Sequence, residues 1–401
     1  MDRRTFLTAA AAAALALPGS ARARVQPSER RFLLVFAQGG WDTTRVLSPM
    51  FHTSRVDVEA AAEPWSVGGL SLVDHPDRPS VRAFFEAWAD RVALVHGLLL
   101  PSVAHVPCTE IALTGGTRGQ PDWLTRLAAS DPDRYVLPHL VMAAPSFPAE
   151  HGQVVARAGA RGQLDGVISG SLVTASGGRL LSPELEALVD RTVEQRASAL
   201  AAGEGPRDRG LLGAFDQATL RAHDLKAARD VMRFAGDGTL ISKLDVAVDA
   251  LGSGMSRVVS VGFPDLVSGW DSHADNDPTQ SALWEELGGG LLHLVDRLAT
   301  TAGDAGGNLL DEVTVVVLSE MGRAPLKNVA AGKDHWPYTS AMVLGSGVQG
   351  GVTVGGYDDD LRGLELDDRP QPSAADLGAT LMTLGGGEVD GPPLEALLAS
   401  R

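Results

Sequence analysis

Phe32-Leu33-Leu34-Val35-Phe36-Ala37 is a continuous apolar run that stops at Gln38-Gly39-Gly40. A short run without polar alternation, closed by a glycine turn, predicts a strand buried on both faces of a parallel sheet. Similar runs recur at Val92–Val95, Leu137–Met142, Val258–Phe263, Val313–Leu318 and Ala341–Leu344. Between them the apolar period becomes helical. Leu287, Leu291, Leu294, Val295 and Leu298 fall on one helix face, and Leu185, Leu188, Val189 and Val193 fall on another. Asp376–Leu384 fits a packing helix with Leu377, Thr380, Leu381 and Leu384 on one side. Strands alternating with helices predict an α/β fold, a three-layer α/β/α sandwich around a mostly parallel central sheet. Ligands of such sheets sit beyond the carboxyl ends of the strands, so the polar residues that follow each apolar run are the first places to look for chemistry.

Composition narrows the function classes. The chain has 401 residues, with 34 Lys and Arg against 50 Asp and Glu, a net charge of −16. That balance argues against nucleic-acid binding through a general electrostatic footprint and suits divalent cations. Cys108 is the sole cysteine, so no intramolecular disulfide can form. Abundant glycine beside a high apolar content fits tight βα and αβ turns. No repeat and no Pro/Ser linker divides the chain, which reads as one domain over residues 24–401, with a helical insertion near 180–240.

The first 23 residues follow a different logic. Arg3 and Arg4 stand just before Phe6 and Leu7, and an Ala-rich apolar run extends from Ala9 to Leu17. Pro18-Gly19-Ser20 breaks it, and Ala21-Arg22-Ala23 fits a small-x-small cleavage site. This pattern predicts a twin-arginine export signal over residues 1–23, recognised by the twin-arginine translocase, and a periplasmic or secreted bacterial protein. The alternative, a membrane anchor, needs about 20 apolar residues, more than this run offers. After cleavage no stable membrane span is expected. Loss of three arginines and one aspartate (Asp2) would move the net charge from −16 to −18.

Carboxylates and imidazoles gather at the predicted strand ends. Asp42 follows the first strand in Gly39-Gly40-Trp41-Asp42-Thr43, and Asp271 and His273 follow the 258–263 strand in Gly269-Trp270-Asp271-Ser272-His273. Glu320 follows the 313–318 strand, and Asp334 and His335 come one loop later in Lys333-Asp334-His335-Trp336-Pro337. Each alone has a plain structural reading, since an Asp after a strand commonly caps a turn or helix and an Asp–His pair is commonly a surface couple. Together Asp42, Asp271, His273, Glu320, Asp334 and His335 make a candidate metal set. Mixed carboxylate and imidazole ligation suits Zn²⁺, Mn²⁺ or Fe²⁺ better than Ca²⁺.

These segments, with Leu318-Ser319-Glu320-Met321-Gly322-Arg323-Ala324-Pro325 and the glycine-rich continuation Val343–Gly351, resemble the family numbered 1501 among the domains of unknown function. The resemblance runs from about Phe32 to Leu384 and is strongest from Gly269 to Gly356. That family is similar to the alkaline phosphatase superfamily, which includes sulfatases and cofactor-independent phosphoglycerate mutases. The resemblance implies an alkaline phosphatase-like sandwich with one or two divalent ions, Zn or Mn foremost, acting on a phosphate or sulfate ester. It implies that Asp42 is the first-strand ligand, that Asp271 and His273 form the Asp…His pair at shorter spacing than usual, and that Glu320 stands in an Asp-His dyad whose His is replaced by Met321. It further implies that His335 is the late His, with Asp334 as a ligand or a partner behind it.

The nucleophile stays open. Relatives carry Ser-His where this chain has Ala104-His105, and sulfatase maturation needs Cys-x-Pro-x-Arg, whereas Glu110 and Ala112 occupy those places after Cys108. Cys108 is therefore expected to be a small buried residue. Ser102, Thr109 and Thr43 are the candidate hydroxyls, with metal-activated water as the alternative. His105 is a ligand, a general base or a hydrogen-bonded histidine. Arg323 clamps an anionic oxygen or forms a salt bridge to Glu320 or another acidic neighbour, with Lys333 a weaker candidate for the clamp. Trp41, Trp270 and Trp336 wall a pocket or belong to the core. Gly345, Gly347 and Gly350 mimic a dinucleotide fingerprint, but the following Val352-Thr353-Val354 has β character where a fingerprint turns into a helix. The expected partner is a small anionic ester or, for a chain that has lost its nucleophile, an exported protein.

Overall fold

The computed structural model describes residues 25–116, 119–158, 181–201, 238–264, 269–367 and 369–399, with short pieces between 205 and 225. The predicted export signal and part of the predicted insertion lie outside the described residues. In chain order the elements are β1 (Arg31–Ala37), β2 (Glu63–Val67), β3 (Leu70–Asp74), α1 (Pro79–Trp88), β4 (Val92–Leu99), α2 (His105–Thr114) and α3 (Trp123–Ala129). They continue with β5 (His139–Met142), β6 (Val155–Ala158), α4 (Pro183–Ala201), α5 (Leu240–Gly252), β7 (Val258–Phe263) and α6 (Asn276–Thr300). The last are β8 (Val313–Ser319), β9 (Gly322–Arg323), β10 (His335–Trp336), β11 (Tyr338–Gly345), β12 (Val352–Val354) and α7 (Ala374–Leu384).

Eight strands form one sheet in the order β12-β4-β11-β8-β1-β7-β5-β6. All pairings are parallel except those of β11, which runs antiparallel to both β4 and β8. The opening run sits in the middle of this sheet and is buried along its whole length. Its side chains alternate between two cores. Leu33, Val35 and Ala37 pack with α1, α5 and α6, and Phe32, Leu34 and Phe36 pack with α2, α3 and α7. A strand between two helical layers must be apolar at every position, which is why its sequence shows no alternation. The result is the expected α/β/α sandwich with a mostly parallel sheet.

The reversed direction of β11 matters for the site. A parallel strand delivers the residues that follow it to the carboxyl edge of the sheet, whereas an antiparallel one delivers the residues that precede it. His335 and Trp336 precede β11, so they arrive at the edge where β1, β4, β7 and β8 end.

Other expectations resolve simply. Val352–Val354 is a strand, as its β character suggested. Cys108 is fully buried. Trp41 and Trp270 belong to the core, where Trp41 stacks on Trp284 at 4.8 Å and meets Trp270 edge-on. The Leu185, Leu188, Val189 and Val193 face lies on α4, and these side chains are exposed. Among the described residues no helix is long and apolar enough to cross a membrane.

The sheet also buries a neutral imidazole. His139 on β5 meets Thr125 Oγ1 at 3.1 Å and Ser260 Oγ at 2.8 Å, and burial, with the charge of Arg157, pulls its pKa from 6.5 down to about 3. The unfolded chain takes up a proton there near pH 6.5 and the folded chain only near pH 3, so stability falls as pH drops through that window. At pH 5 the loss from this one group is about 2 kcal/mol. His139→Gln keeps hydrogen-bonding atoms but cannot titrate. Its melting temperature is expected to fall less between pH 7 and pH 5 than that of the unsubstituted protein, and equal falls would remove His139 as the cause.

Candidate metal centre

Gly39 and Gly40 bring the loop after β1 against the segments that carry the candidate ligands. Both have positive φ, and a Cβ on Gly39 would lie 2.7 Å from the Trp270 backbone nitrogen. Only glycine allows this approach and this backbone conformation together. The Trp270 N–H donates to the Gln38 carbonyl at 3.0 Å, which fixes Asp271 beside the end of β1.

Arg323 ties the same region together. It is fully buried, its Nε donates to the Gly40 carbonyl at 2.8 Å and its Nη1 to the Lys333 carbonyl at 3.2 Å. Its Nη2 donates to the Gly39 carbonyl and, at 2.8 Å, to Asp271 Oδ1. Of its two sequence readings the structure shows the salt bridge, made to Asp271 and not to Glu320. The guanidinium is committed to these carbonyls and to Asp271, and has no exposed face for a substrate oxygen.

Three imidazoles converge on Asp271. Nε2 of His273 and Nε2 of His335 each lie 3.1 Å from Asp271 Oδ1, and Nε2 of His105 lies 3.3 Å from Oδ2. The Nε2 atoms of His273 and His335 are 2.9 Å apart. Ligand atoms of His105, Asp271 and His335 all fall within 4.8 Å of one another. Each ring turns its other nitrogen to an acceptor. His105 Nδ1 meets Glu320 Oε1 at 3.0 Å, His273 Nδ1 meets Asp334 Oδ1 at 3.1 Å, and His335 Nδ1 meets the Val103 carbonyl at 2.6 Å.

A carbonyl or carboxylate oxygen can only accept, so each Nδ1 carries a hydrogen and each ring turns its Nε2 to the centre. Nε2 atoms that face one another and a carboxylate need protons or a cation between them. This is the arrangement of metal-binding histidines, oriented by an acceptor on the far nitrogen. Burial raises the Asp271 carboxyl, but the bond and charge of Arg323, the bond from His335 and the charge of His105 outweigh it and hold the pKa at about 2. The bond to Glu320 raises the pKa of His105.

The structure therefore distributes the sequence candidates. It brings Asp271, His273 and His335 together and adds His105, for which ligation was one of three readings. Glu320 stands behind His105. Its Oε1 also accepts from the Gly39 N–H at 2.7 Å, and its Oε2 accepts from Ser319 Oγ at 3.2 Å. Asp334 stands behind His273 and also accepts from Asn328 Nδ2. Asp42 is not brought into the cluster. It is fully buried and accepts from Thr44 N and Oγ1, from Asn276 Nδ2 at 2.9 Å and from Lys333 Nζ at 3.0 Å, with Arg45 Nε at 3.3 Å. Burial raises its pKa, but the charges of Lys333 and Arg45 and the Thr44 bond hold it well below the usual carboxylate range.

The candidate hydroxyls are engaged elsewhere. Thr109 Oγ1 donates to the His105 carbonyl, Ser102 Oγ accepts from the Ala104 N–H, and Thr43 is buried. The Lys333 ammonium is buried against Asp42, Thr44 and the Asp57 carbonyl, and is not exposed to an anion. Asn276, Gln280 and Tyr357 belong to the support of the site, and neither Gln280 nor Tyr357 carried a sequence signal. The Asp-x-His spacing before a helix was the one local hint at Asn276, the first residue of α6.

Fold and cluster define the class: an α/β/α sandwich with a histidine and aspartate cluster beyond the carboxyl edge of its sheet. Residues 216–387 match the model of the family described as "Protein of unknown function (DUF1501)", so the family read from the motifs is shown over that stretch, less than half of the chain. No curated protein matches the sequence. A protein in the alkaline phosphatase superfamily from Vibrio parahaemolyticus is similar in structure at 12% identity and TM-score 0.43, covering 100% of this chain and 80% of that one. The phosphonate monoester hydrolase from Silicibacter pomeroyi is similar at 13% identity and TM-score 0.38, covering 92% and 76%. The lipoteichoic acid synthase LtaP from Listeria monocytogenes is similar at 9% identity and TM-score 0.38, covering 92% and 74%. Likenesses this distant assign nothing to individual residues.

Arg323→Lys tests the keystone. A lysine has no fork to reach the Gly39, Gly40 and Lys333 carbonyls together with Asp271. Chemical denaturation is expected to show a loss of about 3 kcal/mol, the size typical of a broken buried pair. A loss below about 1 kcal/mol, within the range of surface pairs, would show that the guanidinium does not hold these segments.

Proposed function

We propose that the chain is an exported hydrolase, or a related transferase, that holds a divalent cation on His105, Asp271, His273 and His335 and acts on a phosphate or sulfate ester. The observation that carries this reading is the common orientation of the three imidazoles: every Nδ1 is bound to an acceptor and every Nε2 faces Asp271. Three nitrogens and one carboxylate favour Zn²⁺ or Mn²⁺, and one cation accounts for the donors that converge. When bound, such an ion supplies Lewis-acid polarisation of an anionic ester oxygen.

The protein's own groups do the rest. Glu320, Asp334 and the Val103 carbonyl fix the ring orientations, and Arg323 holds Asp271 ionised and aimed. His273 and Asp334 are the open side of the cluster, with side chains about half and two-thirds exposed, so an ester would enter there. Residues 1–23 are the export signal in this reading, and 24–401 form a single domain.

A second reading is cation-dependent binding without turnover. The hydrogen bonds of Ser102 and Thr109 to the local backbone, and the burial of Thr43, favour it.

Elemental analysis of protein purified without chelators separates these ideas from an inert scaffold. About one Zn or Mn per chain is expected, with at least tenfold less in Asp271→Ala and His335→Ala. A folded protein that stays empty after metal is supplied would sink the metal reading. Metal-loaded protein is then screened against phosphate and sulfate esters. Turnover that disappears in both variants supports the hydrolase, and metal without turnover supports the binding protein.

A further inference from the structure

We infer that Asp42, whose position after the first strand invites a ligand's role, is instead a positioning residue that sets the spacing between the two loops carrying His273 and His335. This rests on the reading of the histidine cluster as a cation site. The carboxylate reaches both loops from below. Towards the first, Asp42 Oδ2 accepts from Asn276 Nδ2 at 2.9 Å, and Asn276 Oδ1 accepts from Ser272 Oγ at 2.7 Å. Ser272 lies between Asp271 and His273. Gln280 reinforces this link, with Oε1 accepting from the Asp42 N–H at 2.7 Å and Nε2 donating to Ser272 Oγ at 3.0 Å.

Towards the second loop, Asp42 Oδ2 pairs with Lys333 Nζ at 3.0 Å, and both side chains are fully buried. Lys333 stands two residues before His335. Its N–H donates to the Ser272 carbonyl at 3.0 Å, and its own carbonyl accepts from Arg323. One buried charge thus holds Ser272 and Lys333 at a fixed separation, and the ligands one and two residues away inherit it.

Asp42 has little left for a metal. Its oxygens already serve Thr44, Asn276, Lys333 and Arg45. Two buried cations, Lys333 and Arg45, face it, and a further divalent charge beside them would be repelled. Removing either member of the Asp42–Lys333 pair leaves a buried charge short of its partner, which the loops relieve by shifting. Removing both charges is milder.

The discriminating variant is Lys333→Met, since an ammonium cannot ligate a cation. Zn²⁺ affinity is measured by competition with a chelating dye for the unsubstituted protein, Asp42→Asn, Lys333→Met and the double variant, at a temperature where each is folded. His139→Gln serves as a destabilised control remote from the loops. Both single variants are expected to bind about tenfold or more weakly, the double variant to recover part of the loss, and the control to match the unsubstituted protein. Full affinity in Lys333→Met with loss in Asp42→Asn would make Asp42 a direct ligand and overturn the proposal. Full affinity in all three variants, or an equal loss in the control, would overturn it in favour of a purely structural role. Failure of the unsubstituted protein to bind Zn²⁺ would mark a failure of the cation reading itself, and the positioning role would fall with it.

Discussion

A single buried guanidinium holds the site together. Arg323 has no exposed surface, and it joins the loop after β1, the segment before β10 and the carboxylate of Asp271. An arginine taken out of water must spend its donors on protein acceptors, and backbone carbonyls that have left their strands are in the same position. Each satisfies the other. The consequence is geometric, because the loops that meet on Arg323 are those that present Asp271 and His335. Its charge has a second effect, keeping Asp271 ionised despite partial burial.

Around that anchor the carboxylates take three different duties, set by what surrounds each one. Asp271 is partly exposed and faces three Nε2 atoms, so among the carboxylates it is the candidate ligand. Glu320 and Asp334 face Nδ1 atoms and fix how two of the rings are turned. Asp42 faces buried cations and amide donors, and belongs to the floor of the site. The same functional group therefore acts as candidate ligand, orienter or structural counter-ion according to burial and partner. Beneath them, Trp41, Trp270 and Trp284 pack mutually, closing the apolar core directly under a charged centre.

Much of the fold was legible in the chain. The runs at 32–37, 92–95, 258–263 and 313–318 are strands within a residue or a few of their observed bounds, because central strands of a doubly covered sheet carry a strong apolar signal. The β2–β3 hairpin and edge strand β6 escaped notice. The hairpin has one exposed face and mixed composition, and β6 is short and half-buried. The direction of β11 was also hidden, since an apolar run in a buried strand reads the same in both senses. In the site, the residue types and the edge of the sheet were legible, and five of the six candidate ligands stand in or directly behind the cluster.

The amino-acid sequence by itself determined the α/β/α layering, the edge of the sheet where chemistry collects, and the supply of imidazoles and carboxylates there. Those follow from local periodicity and from what comes after each strand. Only the tertiary structure decided which atoms face one another: that His105 turns Nε2 inward, that Arg323 is consumed by carbonyls, and that Asp42 points at Lys333 and Arg45. An aspartate after a strand has the same local chemistry whether it caps, pairs or ligates. Its duty is set by partners such as Asn276 and Lys333, more than two hundred residues away in the chain and brought close only when the sheet assembles.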